Sequence, residues 1–185
     1  MKTQGAVTRR TSMAPEMQTP PTLFDRLWTK YQYLYGGFTL DPCCQPNDPT
    51  AKRVLANGGR IFVPSEEIAV GGEPEFVGVD GLSQPWHGVV WMNPPYDRTL
   101  KLWVEKAVNE VKAGNARLVV ALLPSSTGTP WWQKHVITSL MEEGGWASQL
   151  ADVEFLPGRQ RFSWEGEPMK HVARFASVVV VWGNL

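Results

Sequence analysis

Residues 88-GVVWMNPPYDRTL-100 pass from an apolar run through a rigid loop into the start of a periodic segment. The β-branched and large apolar side chains of 88–92, bounded by breakers, predict a buried strand. Pro94 and Pro95 have no N–H to donate, so neither a ladder nor a helix continues past Asn93. Beyond the loop, Leu100, Trp103, Val104, Ala107, Val108 and Val111 recur every three or four residues and predict a helix that ends before Gly114. The next run, 117-RLVVALLP-124, is almost continuously apolar, as expected of a parallel strand covered on both faces.

The same grammar extends outward. Upstream, Thr19 is positioned to cap a helix whose first turn holds Pro20 and Pro21, with Phe24, Leu27, Trp28, Tyr31 and Leu34 as its apolar stripe and Gly36-Gly37 as its stop. Residues 38-FTLDPCC-44 predict a short strand broken at Asp41-Pro42, followed by a short helix around 50–57. Residues 60–64 and 75–80 predict strands in a glycine-rich middle. Downstream, a helix is expected from Thr129-Pro130 to about Glu142, then strands at 152–156, 159–164 and 173–182. Strands alternating with helices predict an α/β fold, a doubly wound and mostly parallel sheet with an antiparallel C-terminal edge. Residues 1–18 read as a poorly ordered tail and 19–185 as one domain.

Composition narrows the function classes. The 185 residues are 43% hydrophobic and 19% charged, values of a soluble globular chain with room for one real core. No apolar run reaches membrane-spanning length and no secretory core opens the sequence, which predicts a cytoplasmic protein with no membrane partner. The cysteines, Cys43 and Cys44, are adjacent and cannot staple a fold, and with His87, His135 and His171 they lack metal-ligand spacing, so no metal site is expected. Eighteen basic and eighteen acidic residues cancel, so contact with a nucleic acid must rest on local patches.

The chemistry suggested by 93-NPPY-96 follows from its parts. An exocyclic amino group on a base is a poor nucleophile because its lone pair is delocalised into the ring. Accepting hydrogen bonds from both of its hydrogens concentrates electron density on nitrogen. The Asn93 side-chain oxygen is one acceptor, and a backbone carbonyl held outward by the Pro94-Pro95 step is a second. The Tyr96 ring offers a stacking face, worth about 1–3 kcal/mol against a base. On a duplex the base must first leave the stack. Asp41 and Asn93 both follow predicted strands, where open α/β sheets build their sites.

With these residues in place, the sequence resembles the phage-type DNA N6-adenine methyltransferases, the Dam-like family of small enzymes that use S-adenosylmethionine. The resemblance runs through 19-TPPTLFDRL-27, 38-FTLDPCC-44, 80-DGLSQPW-86, 89-VVWMNPPY-96, 118-LVVALLPSSTGTPWW-132 and 155-FLPGRQRF-162. It implies a Rossmann-like class I methyltransferase fold. It also implies a catalytic loop of Asn93, Pro94, Pro95 and Tyr96, and S-adenosylmethionine contacts at Thr19, Pro20, Asp41, Pro42 and Asp80. A departure is that 41-DPCCQPND-48 lacks the glycine-rich turn that wider methyltransferases carry after their first strand.

No block is long enough for a separate target-recognition domain, so DNA contacts are expected from loops. Arg159, Arg161, Lys170, His171 and Arg174, with Phe162 and Trp164, suit phosphate contact and stacking, as does the loop 125–132. Two other readings stay open: the same chemistry on cytosine N4, RNA or a protein amide, and a catalytically silent DNA-binding scaffold. Each motif also has a bland reading. Asp41-Pro42 and Asp80-Gly81 are ordinary turn signals, and the basic cluster has Glu165 and Glu167 beside it, as a solvated face would. Trp28 and Trp103 lie on apolar stripes and are expected in the core, and one of Trp131 and Trp132 should face away from it.

Overall fold

A computed structural model of the chain describes residues 17–44, 48–62, 80–138, 149–164 and 167–183. Among them, eight strands and four helices follow in the order α1 (Pro21–Tyr35), β1 (Leu40–Asp41), α2 (Pro49–Ala56), β2 (Arg60–Ile61), β3 (Gly88–Met92), α3 (Leu100–Lys112), β4 (Ala116–Pro124), α4 (Pro130–Trp132), β5 (Leu150–Phe155), β6 (Ser163–Trp164), β7 (Glu167–Pro168) and β8 (Ser177–Gly183). A π-helical turn, Gln133–Ile137, extends α4.

Six strands form one sheet in the order β2-β1-β3-β4-β8-β5. From β2 to β4 the neighbours are parallel. Antiparallel pairing is confined to the far side, where β8 runs against both β4 and the outermost strand β5. The architecture is mixed α/β and compatible with a Rossmann-like sheet.

Period-two alternation on each strand gives the sheet two apolar faces. Val89, Trp91, Leu118, Val120, Leu122, Val179 and Val181 share one core with Leu23, Phe24, Leu27, Trp28 and Tyr31 of α1 and Ala51 and Val54 of α2. Val90, Met92, Val119, Ala121, Leu123, Val178, Val180 and Trp182 share the other with α3 and with Trp132 and Val136. Every residue of β4 except Arg117 is buried, as its continuous apolar run predicts. Rings of Phe24, Trp28, Phe38 and Trp91 meet at centroid separations of 5.3–5.9 Å and anchor α1 over β1 and β3.

Several expectations are corrected. Thr19 does not cap α1: the helix begins at Pro21, Pro20 occupies the cap position without a side-chain bond, and the Thr19 hydroxyl is buried with no partner among the described residues. Leu34 leaves the apolar stripe and is 50% exposed, because Gly36 closes the helix in a left-handed conformation and Tyr35 packs inward instead. Residues 159–164 are not a sheet strand. Only Ser163–Trp164 pairs, with Glu167–Pro168, while the Arg161 guanidinium turns back onto the Met169 and Lys170 carbonyls. The last strand starts at Ser177 rather than at 173. Trp28 and Trp103 are buried, and of the adjacent pair Trp132 is buried while Trp131 is partly exposed. Residues 75–79 of the strand expected at 75–80 and the helix end expected near Glu142 lie outside the described residues, and Asp80 is not in a strand.

Candidate active site

From β1 the chain goes to β2 on one side, and β3 lies on the other. The carboxyl ends of β1 and β3 therefore flank the crevice where an open α/β sheet binds its ligands. Leu40 of β1 is level with Val90 of β3, so the residues that follow, Asp41-Pro42-Cys43 and Met92-Asn93, emerge side by side. The β3–β4 ladder stops at Met92 opposite Ala121, the last pair before the prolines.

Asn93 is held at both ends of its amide. Nδ2 donates to the Met17 carbonyl at 2.8 Å, and Oδ1 lies 2.8 Å from the Tyr96 hydroxyl, which donates to it. The same hydroxyl is 2.9 Å from the Leu122 carbonyl of β4. Burial pushes the Tyr96 phenol well above its ordinary range, so it remains a protonated donor. Its ring meets Phe175 and Phe162 edge to face, at 5.3 and 6.0 Å. Among the described residues nothing donates to the Pro94 carbonyl.

The Asn93 backbone N–H faces the Cys43 thiol, which burial and the neighbouring Asp41 carboxyl keep protonated. Asp41 itself is 2% exposed. Its Oδ1 accepts from the Cys43 backbone N–H at 3.3 Å and its Oδ2 from the Thr50 hydroxyl at 3.3 Å. Asp48 caps α2 through the Thr50 backbone N–H and competes for the same hydroxyl at 2.9 Å. Burial, with Asp48 adding to it, pushes the Asp41 carboxyl up to about 8.

The remaining expected cofactor residues converge on the same edge. Gly81 sits so close to Pro42 that a β-carbon there would lie 1.9 Å from the Pro42 carbonyl oxygen, which brings the Asp80 turn against the Asp41 loop. Asp80 shapes that turn by accepting from the Leu82 N–H at 3.0 Å. Thr19 and Pro20 belong to a strap that crosses the site. Gln18 and Ser163 exchange two backbone hydrogen bonds of 3.0 Å, and the Ser163 hydroxyl reaches the Thr19 carbonyl at 3.3 Å. Met17 and Gln18 thus belong to the fold although they fall within the expected tail; residues 1–16 lie outside the described residues.

The residues expected to contact DNA divide. Arg159, Lys170, His171 and Arg174 are exposed and Trp164 is 40% exposed. Phe162 is 1% exposed and packs on Tyr96, which removes it from any outer stacking surface. Arg161 is committed to the carbonyls of its own hairpin. Sequence reasoning missed Met17, Cys43, Asp48, Thr50, Ser163 and Phe175. Only Asp48, followed by Pro49 at the start of a helix, carried a legible signal, that of an N-cap. Cavities of about 300 and 310 Å³ open at the amino-terminal ends of the strands, around Ala116 and Arg60, and do not touch the loop.

Residues 76–143 match the family model described as DNA N-6-adenine-methyltransferase (Dam). The similarity to that DNA adenine methyltransferase family spans 68 of the 185 residues. The family's description names N6 of adenine in DNA as the position methylated. No curated protein matches the chain. The matched span contains the whole loop from Asn93 to Tyr96, with α3 and β4, whereas Thr19, Asp41 and the C-terminal segment lie outside it.

Proposed function

We propose that the enzyme transfers a methyl group from S-adenosylmethionine to adenine N6 in DNA, with the Asn93–Tyr96 loop as its catalytic element on a Rossmann-like sheet. The observation that carries this reading is the position of Asn93: an amide fixed beside the Asp41 loop, at the crevice between β1 and β3, inside the span matched by the family. Asn93 Oδ1 and the Pro94 carbonyl accept from the two hydrogens of the amino group and raise the electron density on nitrogen. The exposed part of the Tyr96 ring stacks the base, which leaves the duplex to reach it.

The chain fits the cofactor. Among the described residues, Thr19 carries a buried hydroxyl without a partner, and Asp41 is a buried carboxyl whose bonds come only from neutral groups. A cationic, polyhydroxylated ligand meets both needs, with Asp41 facing its ammonium or ribose hydroxyls and Thr19, Pro20, Pro42 and Asp80 around it. When bound, S-adenosylmethionine supplies an electrophilic methyl group on its sulfonium. Arg159, Lys170, His171 and Arg174 provide the DNA-facing charge, with Trp164 among them.

The test is incubation with unmethylated DNA and labelled cofactor, nucleoside digestion and mass analysis. N6-methyldeoxyadenosine is expected; cofactor binding with no methylated nucleoside would overturn the reading. Asn93→Ala should lower kcat about a hundred- to a thousandfold while S-adenosylmethionine still binds. Near-native turnover would exclude the loop mechanism.

A further inference from the structure

We propose that the Met17 carbonyl and the Tyr96 hydroxyl act as positioning groups that fix which end of the Asn93 amide faces the substrate. This rests on the loop reading above and adds a requirement to it.

An amide side chain has a donor end and an acceptor end of nearly the same shape, and only the oxygen can accept from an amino group. The flip is decided by its neighbours. Met17 contributes a carbonyl, which can only accept, at 2.8 Å from Nδ2. The reversed amide would set two carbonyl oxygens against each other. At the opposite end stands the Tyr96 hydroxyl, whose single proton faces two acceptors, Oδ1 at 2.8 Å and the Leu122 carbonyl at 2.9 Å. Oδ1 has two lone pairs; the hydroxyl takes one and leaves the other for an incoming N–H. The phenol keeps its proton because it is buried. The strap that carries Met17 is in turn fixed by the paired bonds between Gln18 and Ser163.

The hydroxyl of Tyr96 thus has a task separate from that of its ring. Tyr96→Phe keeps the ring and removes the donor. It should lower kcat about tenfold, the worth of one hydrogen bond, with the KM for DNA and for cofactor unchanged. A native kcat in that variant would overturn the hydroxyl's part.

Asn93→Asp tests the Met17 contact. As an anion the new side chain accepts at both ends and is repelled by the Met17 carbonyl. As a neutral acid it donates to Met17 and still presents an acceptor. The titratable groups facing this position are the Tyr96 phenol and the Cys43 thiol, with the Asp41 carboxyl behind; native enzyme measured at each pH corrects for them. Relative to native, Asn93→Asp should be about a hundredfold slower on the alkaline side of neutrality and recover as pH falls. Full activity in Asn93→Asp without a pH trend, together with an inactive Asn93→Ala, would overturn the positioning role and leave the loop mechanism standing. An active Asn93→Ala would remove the loop mechanism and this inference together. Retained cofactor binding and an unchanged melting curve show that each variant is folded.

Discussion

Asp41 is a carboxyl that folding buries beside a second acid. Burial, then the neighbouring Asp48, raises it from 3.8 to about 8. Between those values the folded protein holds a proton that the unfolded chain has lost, so stability falls as pH rises through that window and is greatest below it. In the cofactor-free protein, Asp41→Asn should flatten the fall in melting temperature, with a residual slope from Asp48, whose carboxyl burial also raises. A variant with the native slope would show that another group titrates there. A cation bound beside Asp41 pulls the carboxyl back down, so S-adenosylmethionine binding should release a proton and tighten as pH rises toward about 8, measurable by calorimetry in buffers of different ionisation enthalpy. The position of Asp41 at a strand end was legible in the sequence because Pro42 marks the break. Its partners were not, since Thr50 and Asp48 reach it only after α2 folds back beneath β1.

At the scale of elements, strands and helices with strong apolar periods were readable throughout: β3, α3 and β4 lie where their patterns place them. The failures fall on short pieces whose backbone finds partners far away. Residues 159–164 alternate like a strand, but Ser163 pairs with Gln18 and Phe162 turns into the Tyr96 cluster, contacts that no local pattern encodes. The contact between the Asp80 and Asp41 loops has a direct test. Gly81→Ala would set a methyl group against the Pro42 carbonyl and force the two loops apart. Cofactor affinity should fall severalfold with little change in kcat at saturation. Unchanged affinity would mean that these loops do not share the ligand. In the core beneath them, Leu27 is 1% exposed, and Leu27→Ala should cost about 2–5 kcal/mol by chemical denaturation.

For the whole molecule, equal numbers of acidic and basic side chains leave no long-range field to gather DNA. Under the proposed function, the exposed Arg159 and Arg174 of the C-terminal segment supply that attraction locally. Replacing Arg159 and Arg174 by Gln should raise the KM for DNA, leave kcat in place, and reduce the salt slope of binding by about 0.9 for each phosphate that is no longer neutralised. An unaltered slope would place the DNA elsewhere on the enzyme. The strap has a consequence for how the enzyme is made. Asn93 is held by Met17, 76 residues earlier, and Met17 is held in place through Ser163, on a hairpin near the other end of the chain. A nascent chain on the ribosome carries the Asn93–Tyr96 loop long before that hairpin emerges. Until that hairpin is made, the segment carrying Met17 lacks the Ser163 bonds that hold it beside Asn93.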